Sequence, residues 1–259
     1  MAPSALARLA DTRASGALLL IALLVLWQIS AQRWVSSPNW PPVTHILAAL
    51  AAGLRSGELV DVFGSSLYRM ATGYTLGTTA AVATGLLMAN VRMVYAALEP
   101  TIELLRPIPA PAIIPPLILL LGIDDAMKIF IVAFSAFFPV LVNTVSGVRA
   151  VDPVPLDVAR TFGVGRLRTA LRVVLPAALP FILAGMRVSL ALALIVTVVA
   201  EMIAGSAGIG YYVMTMQYAL RASDMYAAIF LLAALGYVLN RGFLALERRV
   251  LHWYHLQQE

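Results

Sequence analysis

The chain has 259 residues, of which 61% are hydrophobic and 12% charged, and its mean hydropathy is +0.88. Because a soluble globular protein carries ~25% charged residues, this composition excludes a water-soluble fold and predicts an all-α integral membrane protein. The sequence contains no cysteine, which excludes disulfides and thiolate chemistry, and its net charge of +5 is better explained by membrane topology than by nucleic-acid binding.

Apolar runs predict about six transmembrane helices, each close to the ~20 residues that the hydrocarbon core of a bilayer requires. These runs lie near residues 17–33, 67–90, 99–122, 127–148, 179–204 and 225–246. The first run is interpreted as a retained span rather than a signal peptide, because no small-x-small cleavage site follows it. We expect residues 1–66 to form an N-terminal tail, the first span and an interfacial helix from His45 to Leu54, and residues 67–259 to form the core domain.

Arginine is unevenly distributed between the two sides of the six predicted spans. The richer side carries Arg8, Arg13, Arg92, Arg149, Arg160, Arg166, Arg168, Arg172, Arg248 and Arg249. Positive residues accumulate in cytoplasmic loops, so this side is predicted to be cytoplasmic. The opposite side, which carries Arg33, Arg55, Lys128 and Arg221, is then predicted to face outward, and both termini are inside the cell.

The second predicted span repeats a small residue at every fourth position. Gly73, Gly77, Ala81 and Gly85 therefore line one helical face and allow a neighbouring backbone to approach closely. We interpret this face as a packing ridge inside the bundle.

The third predicted span is interrupted by prolines. They are Pro100, Pro107, Pro109, Pro111, Pro115 and Pro116. Each removes a backbone donor and opposes a straight helix, and such backbone is tolerated at membrane depth only where it is buried in protein or lines a cavity. Lipid exposure is therefore not expected, and the segment either lines a cavity through residues such as Ile113 and Leu117 or is a kinked, packed helix.

The segment between the fourth and fifth spans, residues 149–176, is too charged to cross lipid and is predicted to face the cytoplasm. Its pattern predicts two short helices. Asp152 is expected to cap the first helix, with Pro153 at the first helical position. Gly163 and Gly165 are expected to supply the turn that follows.

The second short helix is predicted from Arg166 to Leu175, where Pro176 is expected to limit it. Such a compact helix pair, fixed to two spans, has the right shape to be gripped by a soluble partner. Its spacing resembles the cytoplasmic loop of binding-protein-dependent ABC importer permeases, which carries E-A-A, a glycine six residues after the glutamate, and later an aliphatic residue, one further residue and Leu-Pro. The matching positions are Asp157, Val158, Ala159, Gly163, Val173, Leu175 and Pro176.

Further motifs across nearly the whole chain resemble the nitrate, taurine and alkanesulfonate branch of these permeases. They are S-L-Y-R-M-A-T-G-Y at 66–74, L-L-R-P-I-P at 104–109, K-I-F at 128–130, F-F-P-V-L-V-N-T at 137–144, A-E-M-I-A at 200–204 and S-A-G-I-G-Y at 206–211. None of these motifs identifies the solute.

The resemblance implies a permease homodimer in the cell inner membrane, a cytoplasmic ATPase dimer whose groove receives a coupling helix around residues 157–168, and an extracytoplasmic solute-binding protein. The residues assigned to coupling are Asp157, Val158, Ala159, Arg160, Gly163, Gly165, Arg166 and Arg168. The sequence has no G-x-x-x-x-G-K-[ST] loop, so the chain is expected to hydrolyse nothing and to depend on an ATPase in another chain.

Charged residues inside the spans are candidates for the transport pathway. Arg187 and Glu201 of the fifth span are ~21 Å apart along the helix and cannot pair with each other. Arg187 either snorkels to the cytoplasmic interface or contacts solute, and Glu201 either joins an ion pair or hydrogen bond at the outer end or belongs to the pathway. In the third span, Arg106 either pairs with Glu103 or contacts an anion.

The fourth span offers polar and aromatic candidates. Asn143 and Thr144 either bridge helices or hydrogen-bond the solute. Phe134, Phe137 and Phe138 either pack in the core or form a hydrophobic gate. The candidate pathway comprises Arg106, Ile113, Leu117, Phe137, Asn143, Arg187 and Glu201.

Other classes of function fit less well. His252 and His255 have a metal-ligand spacing but no third ligand nearby in sequence, so neither a metal nor another cofactor is expected. A membrane enzyme would need histidines or paired carboxylates at membrane depth, and the predicted spans contain no histidine. A DNA-binding helix-turn-helix in the loop at 149–176 is excluded because both of its ends are tied to bilayer spans.

The expected solute is a small organic or inorganic anion, such as a sulfonate, taurine or nitrate, because the arginines at 106 and 187 suit an anion. Transport by alternating access across the inner membrane follows from the resemblance. A neutral vitamin or pyrimidine precursor is an alternative solute. A stand-alone channel or facilitator is an alternative function, although it would have no need for the helix pair in the loop at 149–176.

Overall fold

The computed structural model of the chain describes residues 13–35 and 37–252. Their helices are, in chain order, α1 (Arg13–Arg33), α2 (Val43–Arg55), α3 (Glu58–Asn90), α4 (Arg92–Leu105), α5 (Ala110–Leu121), α6 (Asp125–Arg149), α7 (Pro153–Thr161), α8 (Arg166–Thr169), α9 (Leu175–Ala204), α10 (Ile209–Tyr218) and α11 (Ala222–Val250). A π-helical turn, Ala170–Val174, joins α8 to α9. The described residues contain no strand, which confirms the predicted all-α class.

Among residues 13–35 and 37–252, four stretches of helix are long and apolar enough to cross a membrane. They are Ser15–Arg33, Asp125–Arg149, Ala170–Ala204 and Ala222–Val250. The bent pair α4 and α5 would make a fifth span if it counts as one. Helix α3 occupies the second predicted span with 33 residues, and it is less apolar because it carries Ser66, Arg69 and Thr78, all of which are buried in protein. Helix therefore occupies all six predicted segments.

The chain divides into two compact units. One consists of the described residues up to Val60 together with Tyr212–Leu231, and the other of Asp61–Tyr211 together with the described residues from Leu232 onward. In the first unit, α2 contains the interfacial helix predicted from His45 to Leu54. The division predicted at residue 66 stays a prediction.

Trp27 holds α1 within the first unit. Its indole stacks on Trp40, with ring centroids 4.7 Å apart, and meets Tyr226 and Phe230 edge-on. Its Nε1 also donates a hydrogen bond to the carbonyl oxygen of Pro41. Aromatic pairs of this kind contribute ~0.5–1.5 kcal/mol each beyond their area burial. One tryptophan therefore anchors the C-terminal half of α1, whose apolar stretch is otherwise exposed in the single chain.

Helices α3, α6 and α9 form the centre of the second unit, and glycines set their separation. A Cβ atom on Gly73 would lie 2.7 Å from a backbone oxygen of α6, and one on Gly77 would overlap the backbone of Ala133. A Cβ atom on Gly185 of α9 would lie 2.9 Å from the carbonyl oxygen of Pro139 in α6. The small-residue face of the second predicted span is thus a packing ridge, as the sequence predicted.

The segment predicted as the third span, residues 99–122, consists of two helices with a sharp bend between them. Helix α4 begins at Arg92, ends at Leu105 and is followed by α5 after a bend of 98°. Pro107 and Pro109 lie in the break, where they remove backbone donors and prevent the helix from continuing. Leu117 is buried on one face of α5, whereas Leu119 is 87% exposed in the single chain. The sequence predicted that this segment would be shielded from lipid, and in the single chain it is only partly buried.

Candidate functional site

The loop between α6 and α9 has the first helix that the sequence predicted. Asp152 caps α7 by accepting a hydrogen bond from the backbone N–H of Val154 at 2.9 Å, and Pro153 occupies the first helical position. Gly163 ends the helix with φ of +67°, a conformation that favours glycine. Its N–H donates to the carbonyl of Arg160 and the next N–H donates to that of Ala159, which is the Schellman pattern.

The second loop helix differs from the prediction. It begins at Arg166 as expected, but it passes through the π-helical turn Ala170–Val174 directly into α9, so Pro176 does not limit it. Proline at 176 cannot donate to the carbonyl four residues earlier. The N–H of Leu175 instead reaches back five residues to Ala170, and this wider turn accommodates the proline without ending the helix.

An apolar stripe runs along the exposed side of α7. Val154, Val158 and Phe162, each four residues apart, are 63%, 50% and 80% exposed. Residues at this spacing share a helical face. Ala159 is buried and turns the helix toward the rest of the second unit.

The predicted coupling residues therefore lie together on this loop. Asp157 and Arg160 form an exposed ion pair at 2.9 Å, and Gly165 and Arg168 are also exposed. Arg166 is the first residue of α8. An exposed pair of this kind is worth at most ~1 kcal/mol, so its charges are available to another molecule.

Glu201 is the centre of a buried polar cluster. Its side chain is 0% exposed and accepts hydrogen bonds from the Ser66 hydroxyl at 2.7 and 2.9 Å, from Arg69 Nη1 at 2.8 Å and from the backbone N–H of Gly210 at 3.1 Å. A Cβ atom on Gly208, whose φ is +104°, would overlap the carboxylate. Of the readings that the sequence left open for Glu201, the structure therefore shows the ion pair with hydrogen bonds.

Arg69 connects this carboxylate to two further elements. Its Nε donates to Asp125 at the start of α6 at 2.6 Å, and its Nη1 donates to the carbonyl of Ala207 at 3.1 Å. Ser66 in turn accepts a hydrogen bond from the N–H of Ile209 at 2.8 Å. The segment between α9 and α10 is thus fastened to α3 and α6 by charge-assisted hydrogen bonds, which are roughly twice as strong as neutral ones.

Lys128 lies in the same region, and sequence analysis missed its importance. It is 1% exposed, although its position near the end of a span suggested an outer loop residue. Ser66 and Arg69 were missed as well, because their partner Glu201 is 135 and 132 residues away in sequence. Asp125 was missed because its partner Arg69 is 56 residues away. The signal that could have found Arg69 is its charge inside an apolar run, the criterion already applied to Arg187 and Glu201.

The other charged candidates occupy different places. Arg187 forms an ion pair with Glu247 of α11, and its Nε is buried without an acceptor among the described residues. Its assignment to snorkelling or to solute contact stays a prediction. Arg106 is exposed at the break between α4 and α5. Within the described part of the chain it forms no ion pair with Glu103, because the helix that would align the two side chains ends at Leu105.

The apolar and polar candidates of the third and fourth spans lie in packed regions. Leu117 belongs to a buried cluster with Ile113 packed against it, and Phe137 meets Phe138 edge-on with ring centroids 5.3 Å apart. Asn143 donates to the carbonyl of Pro139, four residues earlier in its own helix. The Thr144 hydroxyl likewise donates to the carbonyl of Val140, four residues earlier. Among the described residues, neither side chain forms a hydrogen bond with another helix.

No group of three or more potential metal ligands occurs among the described residues. His255, which the sequence paired with His252 as a weak metal candidate, lies outside those residues, as does Arg8.

Comparison with known proteins adds to these observations. The family described as binding-protein-dependent transport system inner membrane component matches residues 73–252. The aliphatic sulfonates transport permease protein SsuC of Bacillus subtilis is 35% identical over 92% of this chain and 87% of its own length. The taurine transport system permease protein TauC of Escherichia coli is 30% identical over 91% of this chain and 88% of its own length.

Solved structures show the same fold. A chain of the MetNI methionine ABC transporter in an inward-facing conformation matches with a TM-score of 0.63 and 19% identity, over 74% of this chain and 95% of that chain. An amino acid ABC transporter matches with a TM-score of 0.59 and 18% identity, over 76% of this chain and 94% of that chain.

Proposed function

Since the chain belongs to the family of binding-protein-dependent transport system inner membrane components and is a multi-pass permease subunit of an ATP-binding-cassette importer, we propose that it imports a small anion by alternating access. In this proposal two copies of the chain form the pathway and a separate cytoplasmic ATPase dimer hydrolyses ATP. An extracytoplasmic solute-binding protein delivers the solute. Both termini and α7 face the cytoplasm, in accord with the arginine-rich loops.

The coupling proposal is supported mainly by the apolar stripe of α7. Val154, Val158 and Phe162 remain exposed on a short helix that is capped at both ends. Exposed apolar residues aligned on one face favour a protein contact, and a cytoplasmic ATPase is the partner that this family of importers implies. We therefore propose that α7 inserts into a groove of the ATPase, with Phe162 as its main anchor.

The ion pair beside the stripe supports the same orientation. Asp157 and Arg160 are exposed next to the apolar face, so they would lie at the polar rim of the interface. Rim charges influence association and register more than affinity. Gly163, Gly165, Arg166 and Arg168 complete the proposed contact segment.

The anionic nature of the solute is proposed from the relatives. Sulfonates, taurine and nitrate, which their names give, all carry a negatively charged oxygen-bearing group at neutral pH. The proposed pathway residues remain Arg106, Ile113, Leu117, Phe137, Asn143, Arg187 and Glu201. Of these, Glu201 contributes by holding the segment between α9 and α10 in place, because it accepts hydrogen bonds from Ser66, Arg69 and the Gly210 N–H.

The coupling proposal is tested with Phe162→Ser. Burial of a phenylalanine side chain contributes ~1.5–3 kcal/mol, so its removal should weaken ATPase binding about tenfold to a hundredfold. Met93→Ser is the matched control, because Met93 is also 80% exposed but lies outside the loop. Co-purification of the ATPase with tagged permease is the measurement, and equal retention of the ATPase by both variants would contradict the proposal.

The transport proposal is tested in liposomes that contain the permease, its ATPase and its binding protein. Uptake of radiolabelled taurine, methanesulfonate and nitrate should require ATP, and the isolated permease should not hydrolyse ATP. Uptake without ATP would favour a channel. Uptake of a neutral vitamin or pyrimidine precursor in place of all three anions would contradict the anion assignment.

A further inference from the structure

Arg149 at the end of α6 is stacked on a tyrosine of α4. Its guanidinium carbon lies 3.8 Å from the centre of the Tyr95 ring, well within the ~6 Å over which a cation and an aromatic face attract each other. The Tyr95 hydroxyl donates a hydrogen bond to the Glu99 carboxylate, one turn further along α4. The bonded carboxylate polarises the phenol ring, which strengthens the attraction of the ring for the cation.

This stack is a directional contact between two helices that otherwise meet through apolar groups. Val94 and Leu98 of α4 pack, together with Tyr95, against a buried cluster that contains Met88 of α3 and Leu141 of α6. Among the residues that the structure describes, no hydrogen bond or ion pair joins α4 to α6. Apolar contacts are non-directional, so they hold α4 near α6 without fixing its position along that helix. The stack supplies the fixed point.

Arg149 is also the residue at which the coupling loop leaves α6. It is the last residue of the helix, and only three residues separate it from α7. The N–H groups of Ala150 and Val151 donate back to the carbonyls of Ser146 and Val148, so this connection is a turn fastened to the helix end rather than a free linker. A displacement of α7 therefore reaches Arg149 with little slack.

We propose that the stack of Arg149 on Tyr95 transmits the displacement of α7 to α4. This inference rests on the proposed docking of the ATPase on α7 and adds a positioning contact inside the permease. Helix α5, which follows α4, is held by Leu117 in a buried cluster with residues of α6 and α9. Because α5 is held while α4 follows the loop, the movement is taken up at the 98° bend between the two helices.

A purely structural stack makes a different prediction. If Arg149 only helps to hold α4 in place, its loss should lower the melting temperature of the permease without changing the amount of solute imported per ATP hydrolysed. If the stack transmits movement, its loss should lower the solute imported per ATP, while ATPase binding stays unchanged because the surface of α7 is untouched. An exposed cation–π contact shifts an equilibrium by about two- to fivefold, and we expect a loss of that size.

The experiment uses the complete complex in liposomes and measures the taurine, methanesulfonate or nitrate imported per ATP hydrolysed. Arg149→Gln and Tyr95→Leu remove the same contact from its two sides, and the second changes no charge. Both should import about two- to fivefold less solute per ATP, whereas Arg149→Lys keeps a cation over the ring and should retain most of the coupling. The matched control is Arg241→Gln, because Arg241 also lies over a tyrosine, Tyr237, but within the single helix α11; it should behave as wild type.

Three outcomes would overturn the role of the stack. In the first, Arg149→Gln imports as much solute per ATP as Arg241→Gln. In the second, the double variant Arg149→Gln with Tyr95→Leu loses the product of the two single losses, since two variants that remove one contact should not lose it twice. In the third, Arg149→Gln loses the ATPase on co-purification as Phe162→Ser does, which would place Arg149 in the interface instead. A wild-type complex in which ATP drives no uptake contradicts the proposed function itself, so the failures of the two proposals are distinguishable.

Discussion

The backbone of Gly163 allows a sharp test of the coupling element. Its φ of +67° lies in the left-handed region, and a Cβ atom added there would meet nothing within 4 Å. The effect of Gly163→Val would therefore arise from the backbone conformation alone and not from a clash with neighbours. A non-glycine residue in this region costs ~1–3 kcal/mol, with β-branched residues at the upper end.

This strain should appear in the docking of α7. The Schellman hydrogen bonds to Arg160 and Ala159 depend on the left-handed residue, so relief of the strain would unwind the last turn and displace Phe162. If the whole strain of ~1–3 kcal/mol is lost from the free energy of ATPase binding, the binding becomes about 5-fold to 150-fold weaker. Gly163→Asn should lose less, because asparagine tolerates this conformation.

The control is Gly57→Val. Gly57 also has a positive φ, of +81°, and nothing within 4 Å of an added Cβ atom, but it lies outside the loop at 149–176. The assay is titration of the ATPase onto the purified permease, followed by solute-stimulated ATP hydrolysis in liposomes. Equal ATPase binding and equal stimulation in Gly163→Val and Gly57→Val would show that the left-handed turn of the loop does not support coupling.

Three further predictions concern the second unit. Glu201→Leu should lower the stability of the permease by at least ~1–3 kcal/mol, because the buried Ser66 hydroxyl, the Gly210 N–H and Arg69 Nη1 lose their acceptor, although Arg69 keeps its ion pair with Asp125; unchanged thermal unfolding in detergent would refute this. Gly77→Ala should lower the melting temperature because its Cβ overlaps the backbone of α6, whereas Gly64→Ala, with open surroundings, should not; equal melting temperatures would argue against the packing ridge. In this cysteine-free chain, Leu117→Cys should not react with a water-soluble thiol reagent in the resting complex, since the native side chain is 7% exposed and belongs to a buried cluster; full labelling at 117 would contradict the observed packing.

Local patterns made the loop between α6 and α9 predictable from the sequence. The cap by Asp152, the proline after it and the left-handed turn at Gly163 each depend on residues within a few positions of one another. The passage of the helix through Pro176 was not predictable in the same way, because a π-helical turn depends on how the following span packs. The bend at Pro107 was foreseen as an interruption, but its angle of 98° is set by the packing of α5.

Local sequence patterns could not predict the buried cluster around Glu201. The sequence indicated that Glu201 needed a partner, but Ser66 and Arg69 come from α3, at separations of 135 and 132 residues. Lys128 was assigned to the outer side of the membrane from its place near the end of a span. Its burial results from the approach of three helices, which hydropathy along one segment does not report.

The close backbone contacts along α6 also have a mechanical consequence. Lys128 and Arg149 are at opposite ends of this helix, which at 1.5 Å per residue are about 31 Å apart. Glycines press α3 and α9 against α6 with little room for sliding, so the three helices would move as a stiff lever rather than bend separately. A tilt of ~5° imposed at the Arg149 end would displace the far end by about 3 Å over that length. A force applied at the loop would thus reach the charged cluster as a displacement of the whole cluster, while the hydrogen bonds that join α3, α6 and α9 keep their lengths.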